Sequence, residues 1–190
     1  MKKTYLKNLK KFFLSKIELI VGLSNPGKKY ALTRHSVGAW YVQMLSKVFN
    51  KKLKIDKKLH GYTAEIFFKN KKIKLLVPNT YMNLSGNSIL KASYIYKIDP
   101  NKILIAHDEI YLSFGRTYFQ IGGSSNGHNG IKNIKKKLGE KKNFYRLKIG
   151  IGNKLLNNTN IADFVLSRPS LVERKKILNA IRQEINFLFF

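Results

Sequence analysis

Three apolar runs of this chain are each followed at once by polar side chains of the kinds that move protons and bind carbonyl groups. Asn25, Arg34 and His35 follow the run that ends at Leu23; Asn79, Tyr81 and Asn83 follow Val77; His107, Asp108 and Glu109 follow Ala106. If these runs are parallel strands, their carboxyl ends share one edge of a sheet, outside which α/β proteins bind ligands. The sequence therefore predicts that a histidine, an aspartate and two asparagines converge.

Such a set of side chains can hydrolyse a bond with activated water. Histidine has an ordinary pKa of about 6.5, so a neutral imidazole accepts a proton near neutral pH. A carboxylate on its other ring nitrogen fixes the tautomer and stabilises the imidazolium ion. Asparagine amides offer donors and acceptors to a carbonyl group or to a water. None of these steps requires a nucleophilic side chain.

The segment GGSSNGHNG, residues 122–130, contains four glycines in nine residues. This density of glycine indicates unusual backbone angles or close approach to a ligand. The basic helix predicted after it could offer backbone N–H groups to a phosphate. A mobile loop is the simpler interpretation, and both descriptions suit a lid over a substrate.

Two other hydrolase chemistries fit the sequence poorly. Residues 123–127 match the G-x-S-x-G pattern around a nucleophilic serine, but that mechanism needs a later histidine, and the last one, His128, lies only three residues after Ser125. The four histidines form no H-E-x-x-H pattern and cysteine is absent, so neither common zinc arrangement is present. There is also no P-loop pattern, G-x-x-x-x-G-K-[ST].

Hydrophobic periodicity predicts alternating strands and helices. Strands are predicted at Glu18–Leu23, Ile103–Ala106, Arg116–Ile121 and Leu147–Ile151, with a hairpin of Tyr62–Phe68 and Ile73–Val77 around Asn70 and Lys71. Helices are predicted after an N-cap at Ser36, at Asn87–Ile98, at Ile131–Leu138, and from Ser170, where Glu173 completes a capping box. Lys51–Leu59 is interpreted as a lysine-rich linker. The alternation predicts an α/β fold with a mixed, largely parallel twisted sheet between helices.

Composition points to a polyanionic partner. The 190 residues carry 37 Lys and Arg against 10 Asp and Glu, a formal net charge of +27, and each phosphate that a cation neutralises releases counterions. A genome rich in A and T would also add solvated lysines without selection for binding, so both interpretations stay open. Absence of cysteine fits a reducing compartment, and no apolar run approaches the ~18 residues that span a bilayer. Residues 1–17 are interpreted as a basic extension before a single domain at 18–190.

Six ordered segments resemble the bacterial peptidyl-tRNA hydrolase family. They read IVGLSNPGKKYALTRHSVG, VPNTYMNLSG, IAHDEIYLSFGR, GGSSNGHNGIKNI, FYRLKIGIG and ADFVLSRP, and the match extends from Glu18 to the C-terminus. The resemblance implies a monomeric, cytoplasmic enzyme that cleaves the ester between a peptide and the terminal ribose of tRNA. It also implies that this enzyme uses no metal or cofactor and recycles tRNA from stalled translation.

The same resemblance implies roles for individual residues. His35 would be the general base, Asp108 would orient it, and Asn25 would contact the peptide backbone. The other candidates are Asn83 and Asn129 for the substrate carbonyl, the water or the tRNA terminus, Tyr30 and Tyr81 for the cleft walls, and Lys132, Lys135, Lys136 and Arg146 for phosphate.

Some positions depart from the family pattern. They are Ser24, Ser36, Tyr111, Ser113, Gln120 and Asn126. Because some relatives bind RNA without hydrolysing it, a non-catalytic RNA-binding protein of the same fold is the alternative. The chain contains the candidate base His35, its carboxylate Asp108 and the two asparagines Asn25 and Asn83. Their joint presence favours the enzyme.

Overall fold

Seven strands form one sheet in the order β2-β3-β4-β1-β5-β7-β6. The computed structural model describes residues 12, 14–152 and 160–190. The strands are β1 (Leu19–Gly22), β2 (Lys54–Asp56), β3 (Gly61–Phe68), β4 (Lys71–Pro78), β5 (Ile103–Ser113), β6 (Thr117–Ile121) and β7 (Tyr145–Gly152). The helices are α1 (Val37–Val48), α2 (Ser85–Tyr96), α3 (Asn129–Leu138), α4 (Ile161–Leu166) and α5 (Leu171–Phe189), with 3₁₀ turns at Arg34–Ser36, Met82–Leu84 and Pro100–Lys102.

The four central strands, β4, β1, β5 and β7, run parallel, whereas the outer strands β2 and β3 on one side and β6 on the other pair antiparallel. In register, Val21 lies between Leu76 and Ile105. The carboxyl ends of β1, β4 and β5 therefore meet at one edge, as the sequence predicts. The α/β fold class with a mixed sheet is confirmed.

Helices cover both faces of the sheet because successive strand residues point to opposite sides. On one face, α1 and α5 pack on Ile20 and Leu104. On the other face, α2 and α3 pack on Leu19, Val21 and Ile105. The two apolar layers hold the parallel strands rigidly beneath the edge at which the polar side chains collect.

Two glycines let α1 approach β1 and β5 closely. A Cβ on Gly38 would lie 2.2 Å from the carbonyl oxygen of Ala106, and one on Gly22 would lie 2.3 Å from the carbonyl oxygen of Gly38. No side chain fits at such distances. The absence of side chains there brings the turn before α1, with His35, against the end of β5, with Asp108.

Several predicted boundaries need correction. Lys51–Leu59 is more than a linker, because it contains the edge strand β2. The hairpin turn falls on Lys69 and Asn70, both at positive φ, one residue earlier than predicted. Ser36 occupies the N-cap position of α1, but its hydroxyl donates to the carbonyl of Tyr30 instead of capping the helix.

Other predicted features agree with the structure or fall outside it. The capping box of Ser170 and Glu173 is present at the start of α5. Most of the predicted extension at 1–17 lies outside the described residues, so the domain boundary stays a prediction. Within the described chain, none of the helices combines the length and apolar character that crossing a membrane demands.

Candidate active site

His35 and Asp108 form a buried pair at the carboxyl edge of the sheet. Nδ1 of His35 lies 2.9 Å from each carboxylate oxygen of Asp108. The 3₁₀ turn at 34–36 supplies the histidine, and β5 supplies the aspartate. Because Nδ1 donates to the carboxylate, Nε2 is the nitrogen left to act as a base, and His35 lines the adjacent cavity.

A second histidine, His128, contacts the same carboxylate. Its Nε2 lies 3.1 Å from Oδ1 of Asp108, while its Nδ1 accepts the backbone N–H groups of Gly130 and Ile131 as the N-cap of α3. An acceptor Nδ1 carries no proton, so in neutral His128 the proton is on Nε2 and is donated to Asp108. The sequence analysis did not select His128 as a site residue, although its position just before a predicted helix at the end of a glycine-rich segment was the available signal.

The charges of this cluster shift both pKa values of the buried pair. Burial raises the pKa of Asp108, but the two histidines lower it more through charge and hydrogen bonds, and the net pKa lies well below the usual range. Burial lowers the pKa of His35, and the charge and hydrogen bond of Asp108 outweigh it, so the net pKa is raised. Asp108 is therefore ionised near neutral pH, and His35 is a stronger base than a free imidazole.

His107 does not join the site. It is fully buried, its Nδ1 donates to the carbonyl oxygen of Asp108 at 2.6 Å, and its Nε2 accepts from Nε of Arg146 at 3.1 Å. Burial, with the nearby His128 and Arg146, holds the pKa of His107 well below its usual range. His107 is thus a neutral imidazole that supports the backbone of Asp108.

A cavity of about 830 Å³ opens in front of the His35–Asp108 pair. Its polar lining includes Asn25, Tyr81, Asn83 and Asn129, all of them predicted site residues. Oδ1 of Asn25 accepts the backbone N–H of Met82 at 2.8 Å, which leaves the amide nitrogen of Asn25 as a donor. The opposite wall is apolar and consists of the end of β5 with α4: Ile110, Ile161, Ala162, Val165 and Leu166.

Tyr30 does not take its predicted place, since it is not among the residues that line the cavity. Its carbonyl oxygen accepts hydrogen bonds from Thr33 and Ser36, and its ring lies 5.5 Å from Nζ of Lys29. Tyr30 therefore stabilises the turn that carries His35.

Arg146 also departs from its predicted role in phosphate contact. It is fully buried on β7, where every side chain is buried, and its guanidinium donates to His107 and to two backbone carbonyls. Of the three lysines predicted to contact phosphate, all on α3, Lys132 and Lys136 are exposed, and Nζ of Lys135 donates to the carbonyl oxygen of Gly123 at 3.3 Å. The side chains of Lys132 and Lys136 are therefore accessible to an anion, whereas that of Arg146 is not.

Arg34 ties the turn before α1 to the connection between α4 and α5. Its guanidinium lies 2.6 Å from Oγ of Ser167 and 2.7 Å from Oε2 of Glu173. The adjacent residue is His35, and α4 carries much of the apolar wall. Arg34 therefore fixes the distance between the base and that wall.

His35, Asp108 and His128 also meet the spacing of a metal site, since one ligand atom from each lies within 4.8 Å of the others. The donor set fits a cation poorly. His128 accepts two backbone N–H groups at Nδ1, so a metal at Nε2 would need an imidazolate anion or the loss of the helix cap. Hydrogen bonds account fully for this cluster.

The family model for peptidyl-tRNA hydrolase matches residues 19–189. The chain belongs to the peptidyl-tRNA hydrolase family. The peptidyl-tRNA hydrolases of Serratia proteamaculans and Photorhabdus laumondii are 47% and 48% identical to it over 168 residues, 88% of this chain and 85% of each relative. The crystal structure of peptidyl-tRNA hydrolase from Acinetobacter baumannii superposes with a TM-score of 0.84 at 39% identity, covering 92% of this chain and 89% of that one.

Membership in the peptidyl-tRNA hydrolase family identifies the chain as an enzyme that hydrolyses peptidyl-tRNA. It favours the hydrolase over the non-catalytic RNA-binding alternative. The sequence prediction of the family and of its reaction is confirmed.

Two of the departures from the family pattern, Tyr111 and Asn126, line the cavity, and the buried pair of His35 and Asp108 is intact. Tyr111 is 75% exposed and lines the cavity at the end of β5. Asn126 adopts a positive φ of 48° in the glycine-rich loop, a conformation that asparagine tolerates better than most residues. Neither residue contacts the carboxylate of Asp108 directly.

Proposed function

We propose that His35 is the general base that activates water in the hydrolysis of peptidyl-tRNA. The observation that carries the proposal is the pair of 2.9 Å contacts from Nδ1 of His35 to Asp108, which directs the unprotonated Nε2 to the cavity. Nε2 takes one proton from water as the water oxygen bonds to the ester carbonyl carbon. When the bond to the ribose oxygen breaks, the imidazolium returns that proton to the leaving oxygen.

In this mechanism Asp108 stabilises the imidazolium and stays ionised itself. Its depressed pKa, caused by the two neighbouring histidines against the effect of burial, supports that role. His128 adds a second donor to the carboxylate and so keeps it oriented. Asp108 acts through His35 and is a positioning residue.

The asparagines of the cavity bind the acyl part of the substrate. Asn25 has its oxygen engaged by the N–H of Met82, so its amide N–H groups can donate to a peptide carbonyl. Asn83 and Asn129 line the same cavity and offer amides to the ester carbonyl, the water or the tRNA terminus. A substrate whose amino group is blocked by an acyl group presents a carbonyl to such an amide donor, whereas a free amino group presents none. The donor therefore favours the blocked substrate.

The lysines of α3 bind tRNA phosphate. Lys132, Lys135 and Lys136 follow the loop that carries His128, so bound phosphate lies near the cavity. The proposed mechanism draws all its residues from one copy of the chain and so is complete in a monomer. Its substrate arises on ribosomes, which supports a cytoplasmic location, and the hydrogen-bonded histidines support a reaction without metal or cofactor.

The test compares release of an N-blocked aminoacyl group from tRNA with release of the same group when its amino end is free. We expect fast release of the blocked group and slow release of the free one. Asn25→Asp keeps an oxygen for Met82 but removes the donor, and we expect it to reduce release of the blocked group. Equal rates for both substrates would contradict the binding mode proposed for Asn25.

A further inference from the structure

We propose that Arg146 is a positioning residue that couples the glycine-rich loop to Asp108 through His107. The inference rests on the proposed function, in which Asp108 orients the general base. Arg146 is fully buried, its Nε lies 3.1 Å from Nε2 of His107, and its Nη1 lies 2.6 Å from the carbonyl oxygen of Ser124 and 3.3 Å from that of Gly122. One guanidinium thus holds two parts of the site.

Arg146 fixes the tautomer of His107. A guanidinium only donates, so Nε2 of His107 must keep its lone pair and the proton must be on Nδ1. Nδ1 donates that proton to the carbonyl oxygen of Asp108, and the two heavy atoms are 2.6 Å apart. The backbone of Asp108 is therefore held by a neutral imidazole whose tautomer Arg146 determines.

The same arginine secures the start of the loop. Gly122 and Gly123 have φ values of 59° and 87°, a conformation that favours glycine, and the carbonyl oxygens of Gly122 and Ser124 on either side of Gly123 both accept from Arg146. A few residues later the loop reaches His128, whose Nε2 donates to Oδ1 of Asp108. The loop is consequently attached to Asp108 at both ends, directly through His128 and indirectly through Arg146 and His107.

This double attachment predicts a catalytic effect from a residue that touches no substrate. Without the arginine fork, the carbonyls of residues 122 and 124 lose their buried donor and His107 is free to change tautomer. The Asp108 main chain and His128 then shift relative to His35. Displacements of about 1 Å at a catalytic group can cost up to about 100-fold in rate.

The experiment uses Arg146→Lys, which keeps the charge and loses the fork, with Arg182→Lys on the exposed face of α5 as the matched control. Single-turnover hydrolysis and affinity for uncleaved tRNA are measured for both. We expect Arg146→Lys to lower the rate by about 10-fold to 100-fold with affinity unchanged, and Arg182→Lys to change neither. A normal rate, or weaker tRNA binding with a normal rate, would overturn the proposal.

If Arg146→Lys does not fold, a measurement on the unmodified protein still tests the proposal. The groups around His107 are Arg146 from β7, His128 from the start of α3 and Asp108 from its own strand. At about pH 6.5, where an ordinary imidazole is half protonated, imidazole ¹⁵N spectra should show His107 neutral, with its proton on Nδ1. A His107 that is protonated on both nitrogens at that pH, or that carries its only proton on Nε2, overturns the inference. The rate of His35→Ala tests separately whether His35 is the general base. The assignment of the base and the proposal for Arg146 can therefore be refuted independently.

Discussion

Replacement of Asp108 by asparagine is the most informative single change, because it alters one oxygen atom and removes one charge. In the protein, Nδ1 of His35 is 2.9 Å from both carboxylate oxygens and Nε2 of His128 is 3.1 Å from Oδ1. Since Nδ1 of His128 already accepts two backbone N–H groups, Nε2 must donate, and the amide oxygen of the variant turns to His128. The amide N–H group then faces Nδ1 of His35.

That arrangement favours the wrong tautomer of His35. An N–H donor facing Nδ1 moves the imidazole proton to Nε2, so no lone pair remains on the cavity side. A well-placed general base contributes about 10²–10⁴ in rate, equivalent to about 2.7–5.4 kcal/mol of barrier. We expect kcat of Asp108→Asn to fall by that factor while affinity for uncleaved tRNA stays unchanged.

The same change reverses the shift of the His35 pKa. Burial lowers this pKa, and the charge and hydrogen bond of Asp108 raise it more. The unmodified enzyme therefore gains activity as pH rises through a midpoint above about 6.5, where neutral His35 forms. Without the carboxylate the effect of burial remains, and the midpoint of residual activity falls below about 6.5.

The assay follows release of an N-blocked aminoacyl group by rapid quench over a range from about pH 5 to about pH 9, which brackets a histidine titration. Asp99→Asn removes an exposed carboxylate outside the cavity and is the matched control, for which we expect the rate and midpoint of the unmodified enzyme. A near-normal rate for Asp108→Asn, or a midpoint that moves to higher pH, would refute the reasoning.

Three other predictions concern the supports of the site. His128→Ala should lower kcat and reduce the free energy of unfolding by about 1 kcal/mol, because the α3 helix loses its N-cap. His128→Asn keeps an N-cap, so urea denaturation should show a higher midpoint for this variant than for His128→Ala. Equal unfolding midpoints would contradict the capping role of His128. Gly38→Ala should cost about 1–3 kcal/mol or more in urea denaturation, because its Cβ would lie 2.2 Å from the Ala106 carbonyl oxygen; an unchanged midpoint would disprove the close contact. Joint replacement of Lys135 and Lys136 by glutamine should weaken tRNA binding and reduce the slope of log affinity against log salt concentration by up to about 2. The same change at Lys51 and Lys52 is the control and should alter neither quantity. Identical slopes for the two pairs would show that the α3 lysines do not contact tRNA.

The convergence of the site was predictable because it follows from chain order and strand polarity. The apolar runs that end at Leu23, Val77 and Ala106 form parallel strands, with the run ending at Leu23 between the other two. The polar residues that follow these runs therefore collect at one edge of the sheet. The capping box at Ser170 was equally visible, since it depends only on local sequence. Local sequence was a less certain guide at Ser36, whose hydroxyl donates to the carbonyl of Tyr30 instead of capping α1.

Features set by distant contacts were not predictable in the same way. The edge strand β2 was missed because its lysine-rich sequence gains only backbone pairing with β3 and little burial. Arg146 resembled a surface cation, yet it lies in a strand buried on both faces, where Gly122, Ser124 and His107 supply its partners. His128 gave a local sign as a residue before a helix, but its contact with Asp108 depends on the path of the whole glycine-rich loop.

The proton transfer assigned to His35 is tested most directly by His35→Ala in single-turnover hydrolysis, with affinity for uncleaved tRNA measured on the same preparation. The account predicts a rate lower by about 10²–10⁴ and an affinity close to that of the unmodified protein. A variant that binds tRNA and still releases the peptide at a near-normal rate would contradict it.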